Sequence, residues 1–390
     1  MHIITETSEL ARFCQAATAH PYVTVDTEFL RETTYWPKLC LVQMATPDEA
    51  VIVDPIGTDI DLAPMFELFA NEDVVKVFHA AKQDVEIFVN LSGEAPKSLF
   101  DTQVAAAVCG FGDSISYDNM VRQITGAQVD KSSRFTNWSH RPLTEKQLTY
   151  ALGDVTHLRD CYLHIVAELD KRDRWAWIND ELKALMQPEN YVVMPENAWK
   201  RMKMKVNRPR DFALLKMLAA WREEKAQKQN VPRGRVLKDE ALFELSQQQP
   251  TNPKAFDRLR AFSNGFGRSS TAAELIKIVE AAKELDKSEL PKIPRKPNGP
   301  SPKGAIGDLL RVLLKAVSEQ EGVAPRIIAT SDDIDSIVLS DQADVAALTG
   351  WRAEVFGEKA LAIKHGKMAL GATSEGIVPV KVDLSPEEVD

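Results

Sequence analysis

Along the first 100 residues, short apolar runs alternate with polar ones at two different spacings. The runs YVTVDTEF, KLCLVQMAT and AVIVDP are rich in β-branched residues and are separated by turn residues, which predicts a meander of three strands. DVVKVFH indicates a further buried strand, whereas DLAPMFELFA and AAKQDVEIFVNL have helical spacing. This part of the chain therefore predicts a mixed sheet flanked by helices.

From residue 101 the apolar spacing is helical throughout. In RPLTEKQLTYALGDVTHL, Thr144 and Gln147 predict a capping box, and an apolar stripe begins at Leu148. After residue 208, FALLKMLAAWREEKAQKQN and the shorter segments behind it predict four or five helices. AIGDLLRVLLKAVSEQEG opens a second helical set, which could be a degenerate copy of the first.

Charge divides the chain of 390 residues, which is too long for one ordinary core. The net charge is −9, but residues 1–190 contain 16 basic and 29 acidic residues, residues 191–303 contain 24 and 13, and residues 304–390 contain 8 and 15. The basic middle is where a polyanion would bind. We predict six segments: an acidic α/β domain 1–190, a basic linker 191–207, a helical domain 208–288, a proline-rich linker 289–303, a second helical domain 304–372 and a C-terminal tail 373–390.

Composition narrows the class of protein. Hydrophobic residues make up 44% of the chain and charged residues 27%, as in globular proteins, and no apolar run reaches the roughly 20 residues of a membrane span. We expect no membrane partner and see no secretory signal pattern. The cysteines are widely spaced, so we expect buried thiols in a reducing compartment, by default the cytoplasm. They are Cys14, Cys40, Cys109 and Cys161. No heptad seam is present, so we expect a monomer.

Two acids stand where a buried strand should avoid charge. Asp26 and Glu28 follow an apolar run, and residues two apart on a strand share a face. Two like charges there repel, and burying them costs free energy unless a cation pairs with them. Taken alone, the pair is better explained as a solvated strand end.

Two further sites change that balance. His79 and Asp84 lie where a predicted strand leads into a helix, and Tyr150 and Asp154 share one helical face at i and i+4. Each has a simpler explanation: Tyr150 could be a core tyrosine and Asp154 an exposed acid. His79 suits a hydrogen-bonding role, because Mg²⁺ prefers oxygen ligands, and Asp101 suits a helix N-cap. Four acids and a tyrosine in this order are hard to attribute to chance.

The segments VDTEF, HAAKQD and YALGD resemble, in order and spacing, the three exonuclease motifs of the DEDD superfamily. The tyrosine four residues before the last aspartate is the form found in its DEDDy branch. KLCLVQMA and WSHRPLTEKQLTYALGD resemble the ribonuclease D family. Residues 208–288 resemble an HRDC domain, and TGWRAEVFGEKAL resembles the end of a second, more divergent one.

The resemblance implies an α/β ribonuclease H-like exonuclease domain followed by two all-α HRDC-like domains. It implies hydrolysis of RNA from the 3′ end with release of nucleoside 5′-monophosphates, most simply at the ends of tRNA precursors. It also implies two divalent cations, Mg²⁺ or Mn²⁺, bound by Asp26, Glu28, Asp84 and Asp154, with Tyr150 orienting the attacking water. A DNA exonuclease of the same superfamily and a catalytically inactive RNA-binding scaffold are the alternatives.

Two further groups of residues are candidates for contact with RNA. The first, near the acids, comprises Thr27, Phe29, Leu30, His79, Lys131, Arg134 and Trp138, although Phe29 could equally be a core residue and Trp138 could simply pack its loop. We expect Arg141, in the same loop, to be structural. The second group follows the basic middle of the chain and comprises Lys200, Arg201, Lys203, Lys205, Arg208, Arg210, Arg233, Arg235 and Lys238.

Overall fold

The computed structural model describes residues 2–203, 206–293, 304–374 and 376–382. The strands are β1 His2–Ile4, β2 Tyr22–Leu30, β3 Lys38–Ala45, β4 Ala50–Val53, β5 Val75–Phe78, β6 Leu99–Asp101, β7 Met368–Thr373 and β8 Gly376–Lys381. The helices of the first half are α1 Thr7–Ala17, α2 Ala63–Ala70, α3 Lys82–Ser92, α4 Thr102–Val108, α5 Tyr117–Thr125, α6 Glu145–Arg172 and α7 Asn179–Leu185.

The helices of the second half are α8 Pro209–Gln229, α9 Arg233–Val236, α10 Asp239–Gln248, α11 Ser270–Glu284, α12 Ala305–Glu321, α13 Pro325–Ile328, α14 Ser331–Leu339, α15 Gly350–Arg352 and α16 Glu358–Lys364. A π-helical turn, Ala353–Gly357, joins α15 to α16. Short 3₁₀ helices occupy Lys131–Ser133, Trp175–Trp177, Pro188–Asn190, Pro195–Arg201, Pro253–Arg258, Phe266–Arg268 and Ala346–Leu348. Within the described ranges, no helix is both long and apolar enough to cross a membrane.

The first six strands form one mixed sheet in the order β1-β4-β3-β2-β5-β6. β2, β3 and β4 are the predicted antiparallel meander, and β5 and β6 extend the sheet parallel to β2. β2 is thus flanked by strands on both sides, and its pairing with β3 shifts register between Glu28 and Phe29. A bulge of this kind re-aims side chains at the end of a strand, here the strand that carries the two acids.

Helix α6 lies against the sheet and is joined to β2 by a buried hydrogen bond. The Thr24 hydroxyl donates to the Val155 carbonyl at 2.8 Å. At the start of α6, Thr144 accepts from the Gln147 backbone N–H, and the Gln147 side chain accepts from the Thr144 backbone N–H. The predicted capping box is therefore present, and it sets where the helix begins, about two and a half turns before Asp154.

The second half of the chain contains two units that pack differently. Helices α8, α10 and α11 enclose a core of their own, centred on Leu218, Leu242 and Phe256. The unit from α12 onward has no separate core within the described residues: its apolar side chains join the core of the first domain. At that contact Trp177 of the first domain and Trp351 of the C-terminal unit stack with ring centroids 4.1 Å apart.

The C-terminal end differs from the prediction in one respect. Residues expected to end a helical domain and begin a loose tail at 373 instead form an antiparallel hairpin of β7 and β8. The segments ALGAT and GIVPVK are short and rich in small or β-branched residues, so helical spacing was not a reliable guide there.

The N-terminal strand β1 was also not predicted. Lys205 and residues 294–303 of the proline-rich linker lie outside the described residues.

Candidate active site

Three acids from two elements meet beside the sheet. β2 presents Asp26 and Glu28, and α6 presents Asp154, so that carboxylate oxygens of the three lie within 4.8 Å of one another. Asp154 is buried, whereas Asp26 and Glu28 are partly exposed. The group opens into a cavity of about 610 Å³. The fold thus brings acids of the first and third motifs together.

The repulsion expected from the sequence is visible in the pKa values. Burial and the charges of Asp26, Asp154 and Asp84 raise the pKa of Glu28 to about 10. Burial raises the pKa of Asp26 to about 6. The pKa of Asp154 is also raised, by burial and then by the charge of Asp26. The acids therefore resist ionising together in the absence of a cation.

Asp84 lies on the wall of the same cavity but is outside the triplet of acids, and its side chain contacts Thr27. Its carboxylate accepts a hydrogen bond from the Thr27 hydroxyl, and burial followed by the charge of Asp26 raises its pKa. Among the described residues, the close triplet of acids does not include it. Thr27, predicted to contact substrate, is itself buried and holds Asp84 in place.

Asp101 organises the turn that leads into α3. Its carboxylate accepts from the backbone N–H groups of Ala80 and Ala81 at 3.0 and 2.9 Å, and it also caps α4 through Gln103 N and Val104 N. Ala80 has a φ of 62°, a left-handed conformation that a non-glycine residue adopts only when its surroundings hold it there. Asp101 is therefore the predicted N-cap, and it also supports the turn before Asp84.

Tyr150 lies one turn before Asp154, in the cavity wall. Burial, the charges of Asp154 and the β2 acids, and a hydrogen bond with Asp154 raise the pKa of its phenol. The hydroxyl therefore stays protonated at neutral pH, and Tyr150 is a hydrogen-bond donor rather than a base.

The donors of this site suit a hard cation. All are carboxylate oxygens, the ligands that Mg²⁺ and Mn²⁺ prefer, and no thiol faces the cavity within the described chain. Neither ring nitrogen of His79 is available to a metal: Nε2 donates to the Ile115 carbonyl at 3.1 Å, and Nδ1 lies 3.0 Å from the Thr102 hydroxyl. His79, predicted to contact substrate, lines the same cavity and also ties the neighbouring loop to the site.

Comparison with known proteins decides the family. Residues 1–170 match the family model described as 3′-5′ exonuclease, and residues 211–279 match the HRDC domain model. Ribonuclease D of Nitrobacter hamburgensis is 49% identical over 381 residues, which cover 98% of this chain and 100% of that protein. Ribonuclease D of a Jannaschia species is 48% identical over 385 residues, with the same coverage.

The chain belongs to the ribonuclease D family. It is accordingly a hydrolytic 3′→5′ exoribonuclease, and the DEDD exonucleases use divalent metal ions. A crystal structure of Escherichia coli RNase D, an exoribonuclease involved in structured RNA processing, matches with a TM-score of 0.81 and 29% identity over 93% of this chain and 98% of that one. A protein from Bifidobacterium adolescentis, 19% identical with a TM-score of 0.70, shares the fold over 94% of this chain and 97% of its own.

The remaining candidates near the acids separate into wall and core. Phe29, Leu30, Lys131 and Arg134 line the cavity, and Lys131 forms an ion pair of 2.7 Å with Asp118 on its rim. Trp138 borders the cavity but is only 2% exposed and packs among core residues, so its indole is not presented for stacking on a base.

Arg141 is structural, as expected. Its guanidinium forms a paired contact with Asp54 at 2.7 and 2.6 Å.

Sequence reasoning missed Phe135 in the loop that it singled out. The side chain is 91% exposed and lines the cavity. Arg134 and Trp138, in the same loop, were predicted to contact RNA because one is a cation and the other a large aromatic residue. The hydrophobic pattern alone could not separate the exposed ring from the buried one.

The basic candidates of the middle domain also separate. Lys200, Arg201, Lys203, Arg208, Arg235 and Lys238 are exposed. Arg210 instead donates to the carbonyls of Ala282, Lys283 and Leu285 at the end of α11. Arg233 forms hydrogen bonds with Glu223 and with Tyr35 at the junction where the middle domain contacts the exonuclease domain. These two, predicted as RNA anchors, are structural.

That junction joins the loop after β2 to α8. The guanidinium of Arg233 donates to the buried carboxylate of Glu223 at 2.5 and 2.6 Å, and the Tyr35 hydroxyl donates to the same carboxylate. Asn230 accepts from the backbone N–H groups of Tyr35 and Trp36 at 3.1 and 3.0 Å. The middle domain is therefore attached to the loop that continues the strand carrying Asp26 and Glu28.

Proposed function

We propose that this exoribonuclease trims 3′ extensions from structured RNA, tRNA precursors foremost, using two divalent cations, Mg²⁺ or Mn²⁺. The observation that carries the proposal is the triplet of Asp26, Glu28 and Asp154 beside the phenol of Tyr150. We further propose an exonuclease domain at 1–190 and a helical domain at 208–288, followed by a C-terminal unit that begins at 304 and includes the β7–β8 hairpin.

The charge relations support a two-cation arrangement centred on Asp26. Its charge raises the pKa of Glu28, of Asp84 and of Asp154, so it is close to all three. Glu28 and Asp154 form the close triplet with Asp26, and Asp84 lies in the wall of the same cavity. These four acids are therefore the residues that would hold the cations, with Asp26 as the acid that interacts with the other three.

Each residue of the site then has a defined task in hydrolysis. Bound cations would supply Lewis-acid stabilisation of the charge that develops on the phosphate. The protonated phenol of Tyr150 would donate to the oxygen of the attacking water, in place of its hydrogen bond with Asp154, and orient that water towards the phosphorus. Thr27 and Asp101 act indirectly, because the first positions the Asp84 carboxylate and the second the turn before it.

RNA outside the cavity needs a surface that the acidic exonuclease domain does not offer. The exposed cations Lys200, Arg201, Lys203, Arg235 and Lys238 supply it at the edge of the middle domain. We include Lys205 and Arg208 in the same surface on the basis of sequence. The junction through Arg233 and Glu223 would keep this surface at a fixed distance from the site.

A monomer in the cytoplasm is consistent with the chain. The four cysteines are free and buried, and burial raises the pKa of all four thiols, so they suit a reducing compartment. Sedimentation of the purified protein and fractionation of cells test this part directly.

The experiment compares three substrates that share one 3′ sequence: a 3′-extended tRNA, an unstructured RNA and a DNA oligonucleotide. We expect the extended tRNA to be shortened to its mature end at a higher kcat/KM than the unstructured RNA, and DNA to be poorest. The Asp154→Asn protein controls for contaminating nucleases. Equal or faster hydrolysis of DNA would favour the DNA exonuclease instead, and retention of the extension would exclude tRNA trimming.

A further inference from the structure

The loop that precedes α6 is held firmly except at two residues. Ser133 is buried, the Thr136 hydroxyl donates to the Ser133 carbonyl at 2.8 Å, and the Gln147 side chain donates to the Thr136 hydroxyl at 3.1 Å. Trp138 anchors the other end in the core. Since Gln147 also belongs to the capping box of α6, the loop is attached to the helix that carries Tyr150 and Asp154.

Arg134 and Phe135 project from this anchored loop. The Phe135 ring is 91% exposed, whereas the other exposed large hydrophobic side chains of the described chain reach 52% at most. Leaving a phenylalanine in water forgoes the stabilisation that its burial would give. The anchors on both sides make a disordered loop a poor explanation for that exposure, so the ring is available to something outside the chain.

The position of the pair shows what that could be. Both residues line the cavity of the acids. The positive charge of Arg134 lowers the pKa values of Glu28 and of Asp154, so it faces the site. The guanidinium also lies 5.3 Å from the Phe135 ring centroid. A cation and an aromatic face side by side match the phosphate and the base of a nucleotide.

We propose that Phe135 stacks on an unpaired base of the RNA 3′ end while Arg134 contacts the adjacent phosphate. Phe135 is then a residue that determines substrate choice. A base inside a helix has both faces covered by its neighbours, so the enzyme would favour RNA with single-stranded 3′ nucleotides and would slow where a helix reaches the loop. Because every base has an aromatic face, the preference is for strandedness rather than sequence.

The test measures stacking directly, in proteins that also carry Asp154→Asn so that RNA stays intact. Single-stranded RNAs contain 2-aminopurine at one of the last four positions, and its fluorescence falls when it stacks. We expect one position to be quenched in the parent, the quenching to be lost with Phe135→Ala, and Phe135→Trp to restore it. Leu163→Ala is the control, because it removes a half-exposed apolar side chain from α6 outside the cavity.

Kinetics of the active protein provide the second readout. We expect Phe135→Ala to raise KM for single-stranded RNA about 5- to 150-fold, the range of one base–aromatic stack, with kcat within about threefold. An abasic nucleotide at the quenched position should slow the parent and leave Phe135→Ala unaffected. Unchanged fluorescence and KM in Phe135→Ala, or an equal abasic penalty in both proteins, would overturn the proposal without touching the assignment of the acids.

Discussion

At the scale of single residues, the acids of the site place catalysis and stability in opposition. The fold holds Glu28 and Asp154 close to Asp26 in a partly buried position, which raises the pKa of each and disfavours ionising them together. At neutral pH such a cluster must either take up a proton or pair with a cation. Neutralising one member should therefore help the metal-free protein and harm the enzyme.

Asp154→Asn tests this opposition. We expect hydrolysis to fall by about 10³-fold or more, while the melting temperature in a chelator rises by a few degrees because a repulsive charge is gone. Manganese should stabilise the parent and have little effect on the variant. Asp160→Asn, an exposed acid on the same helix, is the control and should change neither property. A variant that keeps activity within tenfold of the parent would exclude Asp154 from the site.

Tyr150→Phe separates orienting from metal binding. Because the phenol stays protonated, its loss removes one positioned donor, and we expect kcat to fall by about 10²- to 10³-fold. The shift in melting temperature on adding manganese should equal that of the parent, since the acids are untouched. If kcat at saturating metal were unchanged, Tyr150 would be a packing residue of the cavity wall.

The sequence predicted the acids better than it predicted the aromatic residues around them. Asp26 and Glu28 were identifiable because charge in an apolar strand is rare, and Asp154 because it interrupts an apolar stripe. The roles of Trp138 and Phe135 depend on which way one loop turns, which its local pattern does not specify. Arg233 and Arg210 looked like surface cations because tertiary packing sets their partners. Glu223 lies on a different helix from Arg233, and the end of α11 is 72 residues along the chain from Arg210.

At the scale of elements, the turn between β5 and α3 depends for its conformation on a residue outside it, Asp101. The left-handed Ala80 is held by Asp101, whose carboxylate accepts four backbone N–H groups in all. That turn sets where α3 begins and so where Asp84 lies. Its geometry is thus maintained from a different strand, β6.

We therefore expect Asp101→Ala to cost about 2–4 kcal/mol in the free energy of unfolding, more than an ordinary cap. Activity should also fall, since Asp84 loses its support. Ser269→Ala, which removes the N-cap of α11 in the middle domain, is the control and should cost about 1 kcal/mol. Urea unfolding of both variants gives the comparison. Equal costs would mean that Asp101 is only a cap.

Elements with local signals were predicted, and those without were not. Short contiguous patterns of residues predict the meander and the capping box of α6, and both are present. β1 has three residues and exists because it pairs with β4, about 50 residues away. The C-terminal hairpin likewise depends on pairing between its strands, which helical spacing in the preceding segments obscured.

At the scale of the whole molecule, charge predicted separate units and packing shows how they are joined. The middle domain keeps its own core and meets the exonuclease domain through the polar junction of Glu223 and Arg233. The acidic C-terminal unit instead shares the exonuclease core, with Arg174 reaching Glu321 at 2.9 Å. Composition could not predict this shared core, because the apolar residues of each segment do not show which distant segment they pack against. Removing the C-terminal unit would expose that core, so point substitutions are the better probes of RNA binding.

The salt dependence of RNA binding tests where the RNA is held. If Lys200 and Lys203 contact phosphates, replacing both with glutamine should reduce the slope of log affinity against log salt by about 1.4 to 1.8. Lys171→Gln with Lys315→Gln removes the same charge from exposed positions in the two acidic units and is the control. The substrate is a 3′-extended tRNA. Equal slopes for the two double variants would place the RNA elsewhere.

The most direct test of the account is product analysis on one RNA labelled at either end, with divalent cation present or chelated. We predict stepwise shortening from the 3′ end, release of nucleoside 5′-monophosphates alone, and no products with chelator or with Asp26→Ala. Internal fragments, release from the 5′ end, nucleoside 3′-monophosphates, or undiminished hydrolysis by Asp26→Ala would each contradict a cation-dependent 3′→5′ exoribonuclease built on these acids.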